Sequence, residues 1–133
     1  MELGMSYYFS KSLKLGFEES INHITAKLKE KGFGVLTEID IKATLKKKID
    51  VDFYNYKILG ACNPHFAYKA LQSEDKIGVM LPCNVIVQQK EEGGLVEVSA
   101  VDPIVSMSAI QNENLGGIAT EVQVLLKSVI EEL

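Results

Sequence analysis

The residues best able to do chemistry lie close together in the middle of the chain: Cys62, Asn63, His65 and Cys83. Cys62 stands just before Asn63-Pro64, a typical helix start with a good N-cap and proline at the first helical position. Unpaired N–H groups and the positive dipole end at such a start favour a thiolate and can hold an anion. We therefore expect a small-ligand site at these four residues, with a small carboxylate or phosphate as one candidate ligand.

Three interpretations of these side chains remain open. Two thiolates and the His65 imidazole would suit Zn²⁺ or Cu⁺, although the tight Cys-x₂₋₄-Cys pair of structural zinc sites is absent. Alternatively, Cys62 is an attacking thiolate, His65 its base and Cys83 a resolving thiol, but no CxxC motif supports this. In the third interpretation, both cysteines are small buried hydrophobic residues, which is common for free cysteine.

The composition is that of an ordinary globular protein with an acidic balance. The 133 residues are 47% apolar and 24% charged, which predicts a single domain spanning residues 1–133. A net charge of −4 and a pI near 5.2 argue against a nucleic-acid partner, which needs a dense basic face. The cluster Lys46-Lys47-Lys48 is interpreted as a solvated helix face.

Targeting and catalytic motifs are not apparent in the sequence. The N-terminal MELGMSYYFS has no basic region, so it does not resemble a signal peptide. No apolar run approaches the roughly 20 residues of a membrane span, and two cysteines are too few for a disulfide scaffold. We expect a cytoplasmic protein with reduced thiols, no cofactor and, in the absence of a serine elbow, HExxH or dinucleotide motif, no enzymatic activity.

The periodicity of apolar residues predicts alternating strands and helices. Helical spacing predicts helices that start at Phe17, after Asp40, at Pro64 and at Leu115. Alternation predicts strands at residues 5–11, 33–39, 53–59, 77–89 (with a break at Pro82) and 95–101. Residues 12–16 are predicted as a turn, and residues 104–114 give no clear pattern. This order predicts an α+β two-layer sandwich, with a mostly antiparallel sheet and helices packed on one face.

Three segments resemble a known family. They are GFGVLTEIDIKATLKKKI at residues 32–49, ILGACNP at residues 58–64 and IGVMLPCNVIV at residues 77–87. In this order they resemble the bacterial and archaeal family called domain of unknown function 302, over roughly Tyr7 to Leu133. The resemblance implies a small α+β domain with a TATA-box-binding-protein-like topology that is often dimeric, and it implies no catalytic residue.

Together these observations favour a binding protein over an enzyme. We expect a non-enzymatic homodimer that binds a small molecule or a protein partner, with edge strands and the helix-free sheet face as contact surface. The alternative is a thiol-dependent redox or soft-metal-handling protein that uses Cys62 and Cys83.

Overall fold

The computed structural model describes residues 6–133, and their elements alternate as an α+β chain. The predicted fold class is therefore confirmed, while Met5 of the predicted first strand lies outside the described residues. In order, the elements are β1 (Tyr8–Leu13), α1 (Phe17–Glu30), β2 (Gly34–Asp40), α2 (Ile41–Ile49), β3 (Asn55–Cys62), α3 (Pro64–Ser73), a 3₁₀ turn (Ile77–Met80), β4 (Cys83–Gln89), β5 (Val96–Val101), α4 (Pro103–Ser106) and α5 (Glu113–Glu131).

The five strands form one antiparallel sheet in the order β1-β5-β4-β3-β2. Helix α1 packs against β4 and β5, and α5 packs against β5 and β1, so the two long helices cover one face. Alternate strand residues on that face are apolar and buried, and burial of each valine, leucine or isoleucine contributes about 1.5–3 kcal/mol. The fully buried side chains of this core include Ile24, Leu28, Leu59, Val85, Val87, Val98, Leu126 and Val129.

The segment from Gly34 to Ile58, here named the arm, is far less buried than the rest of the sheet. It comprises β2, α2 and the first half of β3, and none of its residues is buried. Strand β2 is an edge strand, and α2 has three lysines in its last turn and no buried side chain. The Asp40 side chain caps α2 as the sequence predicts, because its Oδ1 accepts from the Ala43 N–H at 2.9 Å.

Local structure differs from the sequence prediction in three places. The predicted strand at residues 77–89 begins only at Cys83, because Ile77–Met80 is a 3₁₀ turn that buries Ile77 against Ala70 and Leu115. The predicted turn at residues 12–16 is shorter, because β1 pairs with β5 as far as Leu13. Residues 104–114 contain most of α4 and the start of α5. No helix within residues 6–133 is long and apolar enough to cross a membrane.

Candidate functional site

The corner between β3 and α3 forms as the sequence predicts. Strand β3 ends at Cys62 and α3 begins at Pro64, with Asn63 at the N-cap position. In the neighbouring strand Cys83 lies directly opposite Ala61, so the two cysteines are neighbours across β3 and β4. Between this corner, α3 and α5 is a mainly apolar cavity of about 30 Å³. Its lining includes Phe33, Ala61, Cys62, Asn63, Phe66, Leu81, Cys83, Met107, Ile118 and Val122.

Gly60 allows the segment before β4 to close over the end of β3. A Cβ atom at Gly60 would overlap Thr37 Oγ1 and lie 2.7 Å from Pro82 Cγ, closer than side chains tolerate. Glycine is therefore required here by the close approach of its neighbours. This contact holds Pro82 and Cys83 beside the start of α3, where they line the cavity.

The side chain of Asn63 does not cap α3, contrary to the sequence prediction. Its Nδ2 instead donates a long hydrogen bond of 3.4 Å to the Lys31 carbonyl oxygen, in the turn after α1. That turn brings Gly32, with a φ of +87°, against the Asn63 amide. The Oδ1 atom is buried and has no hydrogen-bond partner. Asn63 therefore occupies the cap position without satisfying the N–H groups of the helix.

Both cysteines are partly buried free thiols. Burial raises the pKa of the Cys62 thiol. Burial and, secondarily, the charge of Cys62 raise the pKa of Cys83 to about 11. Apolar surroundings disfavour the thiolate. Burial thus opposes the thiolate that the helix start predicts at Cys62, and thiol reactivity stays a prediction.

His65 does not join the other candidate residues. It is exposed in the first turn of α3 and is not part of the cavity lining. Across the described residues, no three His, Cys, Asp or Glu side chains are grouped as metal ligands would be. The structure thus brings Cys62, Asn63 and Cys83 together at one cavity and leaves His65 outside it.

A second concave region lies on the helix-free face of the sheet. The sequence analysis predicted this face as a contact surface but named none of its residues. The concave region has a volume of about 450 Å³ and spans β1, β5, β4 and β3. Burial, with smaller contributions from Tyr54 and Tyr7, raises the pKa of Tyr56 in this region. The available signal was the alternation of polar and aromatic residues along the strands. Its lining includes Tyr7, Tyr8, Tyr56, Asn84, Ile86, Gln88, Lys90, Glu97 and Ser99.

Comparison with known proteins places the chain in a family. No curated protein matches it significantly. Among solved structures it is similar to the crystal structure of an uncharacterized conserved protein DUF302 from Bacillus stearothermophilus, with a TM-score of 0.85 and 26% identity. That similarity covers 94% of this chain and 96% of the other. The family model described as "Domain of unknown function DUF302" matches residues 9–133, so the chain belongs to this family.

Proposed function

We propose that this chain is a non-enzymatic homodimeric module that binds a small molecule. The observation that carries the proposal is the arm, in which 25 consecutive residues include no buried one. An isolated subunit gains little from folding such a segment, because its apolar side chains stay in contact with water. The most exposed of them are Leu36 at 67% and Ile49 at 63%. A partner that covers the arm would supply the missing burial.

A second copy of the chain is the partner that fits the arm best. The arm carries five lysines and four carboxylates, so it can face its own copy without strong like-charge repulsion, although the whole chain has a net charge of −4. Regular strand addition at β2 is hindered by a register shift between Val35 and Thr37. We therefore expect contact through side chains of the arm and the adjoining helix-free face.

Light scattering coupled to gel filtration tests the dimer at micromolar concentration. We expect the unmodified protein to elute as a dimer, and Leu36→Asp and Ile49→Asp to elute as monomers. Val124→Asp is the matched control, because Val124 is 60% exposed but lies on α5, outside the arm. A monomeric unmodified protein, or arm variants that remain dimeric, would contradict the proposal.

The small-molecule site of this module is the cavity at the start of α3. Two observations support it: the cavity is mainly apolar, and the Asn63 oxygen beside it has no protein partner. Ligand sites commonly combine an apolar lining with a few placed polar groups. Denaturing extraction of the purified protein followed by mass spectrometry tests for a bound compound. We expect a compound in extracts of the unmodified protein and a depleted amount with Phe66→Trp, which fills the space beside the helix start.

Thiol chemistry is the alternative function, and one observation favours it. Cys62 and Cys83 lie on adjacent strands and both line the cavity. Cys83 pairs with Ala61, so a disulfide between the two thiols would need a departure from regular strand alternation at the corner. Their raised pKa values oppose thiol chemistry, because the thiolate is the reactive species. Titration with Ellman's reagent distinguishes thiol chemistry from the proposed binding function. We expect both thiols to react slowly in the native protein and fast after denaturation. Fast reaction of a native thiol would restore the alternative.

A further inference from the structure

The side-chain oxygen of Asn63 is an unusual feature of the α3 start. Among the buried side-chain nitrogen and oxygen atoms of residues 6–133, Asn63 Oδ1 alone has no hydrogen-bond partner. Asn63 is only 8% exposed and lines the cavity. An unpaired buried acceptor costs about 1–3 kcal/mol. A rotated amide would not remove this cost, because Oδ1 would then face the Lys31 carbonyl oxygen, which now accepts from Nδ2.

Backbone N–H groups in the first turn of α3 also lack a side-chain partner. The Asn63 side chain leaves the first turn of α3 uncapped, so the backbone N–H groups of His65 and Phe66 have no side-chain acceptor. The next N–H group, that of Ala67, donates to the Asn63 carbonyl oxygen at 2.9 Å. Free N–H groups at a helix start point back along the axis, here toward the end of β3. The corner therefore offers both a side-chain acceptor and backbone donors.

We propose that the cavity takes an uncharged apolar molecule with a hydroxyl or primary-amide head group. The inference rests on the small-molecule binding proposed above and names the ligand class. The head group donates to Asn63 Oδ1 and accepts from a backbone N–H group of the first turn. A carboxylate only accepts, so Oδ1 repels it; an ammonium group only donates and would face the positive end of the helix.

The cavity lining and volume match such a molecule. Leu81, Met107 and Ile118 provide apolar contacts for a short hydrocarbon tail. A volume of about 30 Å³ equals roughly two or three water positions, enough for the head group and the first carbons. The cavity is partly open to solvent, so the tail can extend outward.

Nuclear magnetic resonance titration with matched probes tests this ligand class. The probes are 1-butanol, methyl propyl ether, butyrate and butylammonium, and the readout is the amide shifts of residues 61–67. Methyl propyl ether keeps the heavy-atom count of 1-butanol but has no O–H donor. We expect 1-butanol to bind about tenfold more tightly than the ether, since the ether leaves Oδ1 unpaired, and both charged probes to bind more weakly still.

Two variants separate the Asn63 contact from general effects of a lost N-cap residue. We expect Asn63→Ala to bind the alcohol and the ether equally, and Asn112→Ala, at the start of α5, to keep the tenfold preference. Tighter binding of butyrate would overturn the ligand class but leave small-molecule binding intact. If no probe shifts the amides of residues 61–67, both the ligand class and the small-molecule site fail. The dimer is judged separately by light scattering.

Discussion

Helices α3 and α5 both begin after an asparagine, yet the two asparagines are bonded differently. Asn112 Oδ1 accepts from the Asn114 N–H at 3.1 Å, and its Nδ2 donates to the Ser73 carbonyl oxygen at 2.8 Å. Asn63 makes one long bond and leaves its oxygen unpaired. The same residue type at the same position thus stabilises one helix start and leaves the other open. The proposed ligand site therefore lies at the helix start whose asparagine leaves an oxygen unpaired.

The largest difference in stability is expected between two glycine-to-alanine variants, one near the start of α3 and one near the start of α5. Gly60→Ala places a Cβ against Thr37 and Pro82 beside the α3 corner, and we expect it to lower the free energy of unfolding by about 2–3 kcal/mol. Gly117→Ala lies inside α5 with no atom near the new Cβ, and we expect it to raise stability by about 0.5–1 kcal/mol. Urea denaturation measures both. Equal effects would show that the corner is not closely packed.

Alkaline pH tests the apolar surroundings on the α3 side. The folded pKa of Cys83 is about 11 and its ordinary value is 9.0, so the unfolded chain ionises first as pH rises. The contribution of the Cys83 thiol to the free energy of unfolding is therefore fully present below pH 9 and decreases as the pH rises toward 11. We expect this one thiol to account for a loss of about 2 kcal/mol over that range.

The matched control for the alkaline experiment is Cys83→Ala, measured by urea denaturation at each pH. Other groups titrate in both proteins, so the difference between their pH profiles isolates Cys83. Parallel profiles would mean that the Cys83 thiol is no less hydrated in the folded state, which would contradict the apolar surroundings of the α3 corner.

Alanine at the two asparagines compares the caps directly. Asn112→Ala removes a capping bond and the bond to the Ser73 carbonyl, and we expect a loss of about 1–2 kcal/mol. Asn63→Ala removes one long bond together with an unpaired acceptor, and we expect a change below about 0.5 kcal/mol. Thermal and urea denaturation provide the values. A larger loss at Asn63 would indicate that its oxygen has a partner in solution.

Serine at the same positions gives the smallest effect, and its sign is informative. Serine is a good N-cap, and its short side chain can bond to its own helix without reaching Lys31. We expect Asn63→Ser to stabilise the protein by a few tenths of a kcal/mol, and Asn112→Ser to destabilise it by a similar amount because the bond to Ser73 is lost. If both variants were destabilising, the N–H groups in the first turn of α3 would already have an acceptor in solution.

The sequence predicted elements that depend on neighbouring residues and missed features that depend on distant ones. The helix start at Asn63-Pro64 is a local signature, and so is the Asp40 cap of α2, so both could be located in advance. The direction of the Asn63 side chain depends on the turn at Lys31, which is far away in the sequence. The raised pKa of Cys83 likewise depends on side chains from separate helices around it.

Misassigned elements have a similar explanation. Ile77–Met80 is an apolar run too short for its periodicity to distinguish a strand from a buried 3₁₀ turn. The length of β1 depends on pairing with β5, whose residues come more than 80 positions later, and the strand order depends on the same distant pairings. The sequence could not show that the arm is exposed. Alternating apolar and polar residues predict a strand, but they do not show whether another element packs on its apolar side.

The arm also determines where the subunit opens first. Backbone hydrogen bonds of β2 are made on one side only, to β3, and none of the β2 side chains is buried. Deuterium should therefore enter the amides of residues 34–49 by local opening, well before it enters β4 and β5 in the middle of the sheet. A protease should cut the same stretch first in dilute solution, and self-association should slow both processes.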